Sequence, residues 1–362
     1  MALGEAIDNS QLSRFEKGKA IPSFEKLRAL ARIFNVSVQT FSDVLDVERF
    51  EEFKPESDDF DGLLRAGDDL IGAGDHGKAF VAYERAVEVA GAGDASPRSA
   101  ERAAEARCDM AGALRGLGKL AMTEREFREI LKTRSLLSRR TQTRALLGLA
   151  YVYREMGDYY LASVLAREAL DLAAADGDLK NQAGVLNSLG TIHLDEGDAE
   201  RALGYCQRAI QVLESVGGQE SARATAMTNC GACLVAVGRC DEGIRCLQEA
   251  LARAREHGFR RVAAVALSRL AEAHLEKGDH ERASAFLAES DALASRADEM
   301  YNDILFLNTY YRWEMARAEE NPTREKIAFG RLRHLRALIE RRFPEVEQFD
   351  RHVEKIGRSH AN

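Results

Sequence analysis

The chain has 362 residues, of which 45% are hydrophobic, 30% charged and only 5 are proline, a balance that favours long amphipathic helices and argues against sandwiches and barrels. Its 51 basic and 59 acidic residues leave a net charge of −8, so the average field repels phosphate. That excludes indiscriminate polyanion binding and requires any nucleic-acid contact to be local. No basic-then-apolar leader opens the sequence, and its longest uncharged run, 224–238, falls short of the roughly 20 apolar residues a membrane span needs. A cytoplasmic location is therefore expected, with the six cysteines serving as packing thiols in a reducing compartment.

Residues 1–40 hold six basic and four acidic side chains, against the trend of the whole. Asp8 followed by Gln11 gives a capping-box-like helix start, and Leu12 with Phe15 forms a short apolar stripe that Gly18 stops. Pro22-Ser23 opens a second helix in which Phe24, Leu27, Leu30, Ala31 and Phe34 keep helical spacing, and Ser37 caps a third. The run Leu12-Ser13-Arg14-Phe15-Glu16-Lys17-Gly18-Lys19 with Pro22-Ser23 resembles the xenobiotic-response-element, or phage-repressor-like, helix-turn-helix family. The resemblance implies that the helix beginning near Asp8 enters the major groove. Asn9, Ser10 and Gln11 would then contact base edges, while Arg14, Lys17 and Lys19 neutralise phosphates or reach bases beside the turn. It also implies a complete preceding helix, of which Met1 to Ala6 supplies at most a part, with Glu5 where an apolar core residue is expected. The module thus reads as a truncated one, spanning 1–46, and the chain as given is expected to bind DNA weakly or not at all.

Residues 41–60 carry eight acids and two bases, and 47–59 read as a short acidic, solvated linker. Beyond it the chain repeats. Glycines 74, 118, 157, 197, 238 and 278 are spaced by 44, 39, 40, 41 and 40 residues. Seven residues before each stand Gly67, Ala111, Ala150, Gly190, Gly231 and Ala271; five after stand Ala79, Thr123, Ala162, Ala202, Gly243 and Ala283. Eleven before, the residues are apolar except Arg107. Small residues at fixed offsets, interleaved with large apolar ones, describe an antiparallel helix pair whose backbones approach closely. The glycine ends the first helix and the Asp that often follows it caps the second.

This pattern is similar to the tetratricopeptide repeat family in a longer variant of about 40 residues. The resemblance covers 60–298, as about six helix pairs. Two further segments, 301–318 and 323–342, followed by 344–356, read as a divergent last repeat and a capping helix within 299–362, since an end repeat has to hide its apolar face. The expected fold is all-α: a tetratricopeptide-like right-handed helical solenoid preceded by a partial helix-turn-helix module.

Candidate ligand-binding residues follow from the concave face, which in this family is lined by the first helix of each repeat. Offsets ten, six and three before the glycines select Tyr151, Arg154, Asn187, Thr191, Thr228 and Arg115, with Arg144 one turn away. Asn187 can clamp a peptide backbone and the arginines can hold a carboxylate, so an extended acidic or C-terminal peptide is the expected ligand. Other signals are weaker. Cys230, Cys233, Cys240 and Cys246 lack a zinc-ribbon or finger spacing; His193 and His274 take an offset filled elsewhere by Leu or Tyr and read as packing groups. Trp313 reads as terminal core. No metal or other cofactor is expected, and adjacent acids such as Asp68-Asp69 point to different helix faces, so no catalytic pairing emerges. The combination resembles bacterial regulators that join this DNA-binding module to tetratricopeptide repeats. It implies a DNA partner once the first helix is supplied, a peptide or protein partner, no membrane, and a homodimer as the DNA-bound form. An interaction scaffold with an inert module is the alternative, and a phosphatase of the response-regulator type is the remaining, enzymatic one.

Overall fold

The computed structural model describes residues 9–16, 22–34, 38–92, 96–296, 299–339 and 341–361. Among them the chain is all-α, with eighteen α-helices, one short 3-10 helix at Arg134–Leu136 and one hairpin of two-residue strands at Ser295–Arg296 and Glu299–Met300. Three short helices come first, α1 (Asn9–Glu16), α2 (Phe24–Phe34) and α3 (Val38–Glu48). Seven antiparallel pairs follow: α4/α5 (Phe60–Gly72, His76–Gly91), α6/α7 (Pro97–Gly116, Leu120–Lys132), α8/α9 (Arg139–Met156, Tyr159–Asp176), α10/α11 (Leu179–Glu196, Ala199–Val216), α12/α13 (Glu220–Ala236, Cys240–Glu256), α14/α15 (Arg260–Glu276, His280–Ala294) and α16/α17 (Asn302–Ala318, Pro322–Arg336). A last helix, α18 (Pro344–Ala361), closes the array.

Each turn is built as the sequence pattern requires. The six aligned glycines take the left-handed conformation, Gly197 at φ +94° for example, where a Cβ would be strained. Asp75, Asp158, Asp198 and Asp279 each accept a hydrogen bond from the backbone three residues on, capping the second helix. Lys119 and Arg239, at the same place, cannot do so and make no side-chain cap.

The small residues set how closely the helices meet. A Cβ on Gly67 would lie 2.4 Å from the Tyr83 ring, and one on Gly231 would lie 2.6 Å from Leu247 Cγ. Ala111, Ala150 and Ala271 are fully buried at the equivalent position. The large residues then interlock around them: Leu146, Leu186 and Leu267 are buried, whereas Arg107 turns outward toward Glu126 at 3.7 Å. Burial of such apolar area, at about 25 cal/mol per Å², is the main stabilising contribution.

The N-terminal helices join this array through α3 and the residues after it. Val47 is buried with Ala79, Phe80, Tyr83 and Met110, and the Phe50 ring fills the space over Gly77. Lys119 Nζ sits 3.1 Å from Asp43 and 2.6 Å from Asp46. Burial pulls the Lys119 ammonium down, but its hydrogen bonds to Asp46 and Asp43 outweigh that and raise it.

At the other end the second helix of the last pair differs from expectation. It stops at Arg336 rather than continuing to Arg342. Arg336 donates to the Ile339 carbonyl at 2.6 Å and grips Asp350 of α18 at 2.9 Å, so the chain turns away from the helix axis. The segment that follows crosses to the third pair, where the Arg342 N–H donates to the Glu155 carbonyl at 3.0 Å. The cap core is aromatic, with Trp313 in edge contact with Phe349 and Tyr310.

Candidate functional site

The first helices of the pairs curve around a concave groove of about 1240 Å³, and the C-terminal segment borders it. Of the residues singled out from sequence, Arg115, Tyr151, Arg154, Asn187 and Thr191 line this groove together. Arg115 donates to Glu155 Oε1 at 3.0 Å and lies 5.0 Å from the Tyr151 ring centre. Arg154 Nε donates to Asp195 Oδ2 at 2.7 Å, in a pair that is mostly buried. Burial works against the Arg154 cation, and Asp195 outweighs it. Tyr151 Oη and Ser188 Oγ are 2.6 Å apart, and the Thr191 hydroxyl donates to the Ser188 carbonyl at 2.9 Å. Asn187 Oδ1 accepts from Asn229 Nδ2 at 2.9 Å.

Two residues fall elsewhere. Thr228 is 2% exposed and donates to the Ala224 carbonyl at 2.8 Å, so it is packing in α12 rather than a groove residue. Its neighbours Met227, Cys230 and Gly231 are buried too, and α12 instead presents Thr225 and Asn229 to the groove. Arg144 stands behind the lining, bonded to Asp109, which does line it. Burial raises the Asp109 carboxyl and Arg144 only partly offsets this.

Sequence reasoning missed Ser188, Asn229, Glu155, Arg261, Asp303 and Arg341, which also line the groove. Ser188 and Asn229 lie on helices that the repeat pattern had already placed, one position from the offsets that were used. Arg341 carries no such signal, because its place depends on where the chain turns after Arg336. Its guanidinium lies 3.4 Å from Asp303 and 4.0 Å from Glu155. Asp303 in turn is paired with Arg261.

In the N-terminal module, Asn9, Ser10 and Gln11 form the first turn of α1. Gln11 accepts from Lys26 Nζ at 2.9 Å, an internal contact with α2. Arg14 is exposed on α1, while Lys17 and Lys19 lie outside the described residues. Three of the cysteines, Cys206, Cys230 and Cys233, are buried with Ala202, Leu203 and Leu234. His193 stacks on Tyr205 at 5.5 Å and His274 packs against Phe286 at 5.4 Å. No helix among the described residues is long and apolar enough to cross a membrane.

Family models match at both ends of this arrangement. A helix-turn-helix model matches residues 2–41. Tetratricopeptide repeat models match 143–176, 181–256 and 222–295. The first suggests DNA binding and the second protein–protein interaction; neither family is a catalytic one. No curated protein matches the chain. Among solved structures, a Rap protein complexed with Competence and Sporulation Factor superposes with a TM-score of 0.54 at 14% identity, covering 83% of this chain and 98% of that one. The apo form of RapI gives 0.53 at 12% identity, covering 78% and 94%. BtubC from P. vanneervenii gives 0.51 at 20% identity, covering 60% and 90%. At these identities the likeness is one of fold.

Proposed function

We propose that the chain is a DNA-binding transcriptional regulator whose tetratricopeptide solenoid binds a peptide or protein partner on its concave face. The observation that carries this reading is the joint between the two parts. The segment matched as helix-turn-helix is tied through α3 and Lys119 to the turn between α6 and α7, and that same turn, Gly116 to Leu120, contributes Gly116, Leu117, Gly118 and Leu120 to the groove lining. A ligand in the groove therefore touches the element that holds the DNA-binding module. The Rap protein of similar fold was solved in complex with Competence and Sporulation Factor, and the present reading assigns the ligand of this chain to its concave groove.

The test is selection of duplexes from a random pool by the chain with a preceding helix supplied upstream, followed by salt titration. Arg14→Ala should weaken binding to all retained sequences and flatten the salt dependence, since each phosphate contact releases counterions. Asn9→Ala should instead relax preference at one base pair by about 1–3 kcal/mol. Indistinguishable effects would undo this division of roles. Retention of no duplex at all would favour the second reading, an interaction scaffold with a non-functional helix-turn-helix. That reading draws on the exposure of Phe24 (65%), Phe34 (57%) and Leu45 (61%), apolar groups that a fully packed module would cover.

A further inference from the structure

We propose that Cys230 of α12 and Cys246 of α13 are a thiol pair that peroxide converts to a disulfide, a modification site built into the fifth helix pair. Four of the six cysteines gather there: Cys206, Cys230 and Cys233 are buried in one cluster, and Cys246, partly buried, packs against it. Register sets the pair apart. In the repeats around it, the positions eight residues before and eight after the turn glycine hold large apolar groups: Leu149 and Leu165, Leu189 and Tyr205, Leu270 and Phe286. In the fifth pair both are cysteine. A contact that elsewhere takes two large side chains here takes two sulfurs.

The backbone suits the bond. A disulfide needs Cα atoms about 4.4–6.8 Å apart, closer than the roughly 8–10 Å between the axes of ordinary packed helices. The helices α12 and α13 meet at glycine on both sides, Gly231 and Gly243, whereas every other repeat carries a side chain at one of these offsets or both. A Cβ on Gly243 would lie 2.9 Å from the Gly231 carbonyl oxygen. Cys230 and Cys246 flank this crossing, and Cys246 reaches over it, with its Sγ 3.2 Å from the Met227 carbonyl oxygen of α12.

The two sulfurs are unequal. A hydrogen bond from the Cys246 thiol holds Cys230 below its ordinary value, against burial and the neighbouring Cys233, and the same bond, with burial, raises Cys246. Cys230 is then the attacking sulfur and Cys246 the resolving one. The Cys230 sulfur takes one peroxide oxygen as the O–O bond breaks, giving a sulfenic acid and one water. The Cys246 sulfur displaces that oxygen, the S–O bond breaks, and a second water leaves. Two thiols and one peroxide thus become one disulfide and two waters, and a dithiol reverses the change. Cys206 is held well above the usual thiol range by its contact with Cys233 and by burial, so that second pair stays reduced. The new bond would tie α12 to α13 one residue from Asn229, which lines the groove and donates to Asn187.

For the test, the full chain is reduced, desalted and treated with hydrogen peroxide. Remaining thiols are blocked with N-ethylmaleimide, and tryptic peptides are read by mass spectrometry without reductant. Two of the six thiols should be lost, peptide 224–239 should appear joined to 246–253, and dithiothreitol should separate them. Peptide 224–239 holds both Cys230 and Cys233, and two variants tell these apart: Cys233→Ser should keep the link, and Cys230→Ser should abolish it. Should either variant fail to fold, fragmentation of the linked parent peptides places the bond on one sulfur or the other. In urea, where the crossing is gone, the preference for this link should disappear. A link from 224–239 to 202–208, which carries Cys206, or a bond placed on Cys233, overturns the pair. So does the same preference in urea, retention of all six thiols in the folded chain, or oxidation to sulfonic acid with no link.

Discussion

The repeats α8 to α15 and the three N-terminal helices solve the same problem in opposite ways. In the repeats, each helix pair hides its apolar face against the next, and fully buried residues such as Leu186, Leu247 and Leu267 recur along the array. Among the described residues of α1 and α2, Leu30 and Ala31 are the buried ones, at 5% and 4% exposure, while Phe24 and Phe34 stay exposed. The N-terminal helices hold their position mainly at one end, by the Lys119 ion pairs and by Val47 and Phe50. A repeat draws its stability from two neighbours, whereas the module draws its own from a single joint.

The largest expected effect tests the first half of that contrast. Leu267→Ala should cost about 2–5 kcal/mol in urea unfolding, because the surrounding small residues have no side chain long enough to refill the space. The loss should spread to the neighbouring pairs rather than stay within α14; hydrogen exchange that changes in α14 alone would contradict a coupled array. Next comes the joint. Lys119→Met leaves the buried Asp43 without its ammonium and should cost about 1–3 kcal/mol. In hydrogen exchange, protection should fall in α3 and remain unchanged in α12 to α15. Equal loss in both regions would mean that the joint is not the only hold on the module.

The smallest effect concerns a cap. The Asp279 carboxyl is held below its ordinary range, first by the backbone N–H of Arg282 and then by the charges of Arg282 and His274. A carboxyl depressed in the folded state contributes stability that is present above its unfolded value and lost as pH falls through the folded one. Asp279→Asn keeps the cap acceptor but cannot titrate. The variant should match the parent under acid and fall slightly below it near neutral pH, as read by thermal melts across that range. An identical offset at every pH would assign the effect to packing.

The repeats were legible because glycine, small and apolar residues recur at fixed offsets, and each offset has one steric meaning. Gly231 is small because Leu247 stands 2.6 Å from where a Cβ would be. The groove was legible only in part. Offsets place a residue on a helix to within a turn, which sufficed for Asn187 and Tyr151 but put Thr228 on the wrong side of α12, where the neighbouring helices bury it. Nor could spacing show that Arg154 and Arg115 are each matched by an acid from a neighbouring helix or from the next position in the same repeat array, Asp195 and Glu155. Arg341 was out of reach, since its position follows from a helix ending that is decided by the Arg336–Asp350 contact. Val47 and Phe50 read as part of an acidic stretch, and only the fold brings them against the first pair.

The hydrogen bond from Arg342 to Glu155 bears on how this chain can change in length. An open stack of helix pairs tolerates gain or loss of a unit, because its two ends never meet. Here the last segment is fastened to the third pair, so the arc between them has to contain a fixed number of pairs. Duplicating α12/α13 would carry the C-terminal segment past Glu155 by one step of the curve and unfasten it, whereas a unit inserted before α8 would leave the closure intact. Two otherwise similar insertions should therefore differ in outcome, and variation in repeat number is confined to the stretch ahead of the closed arc.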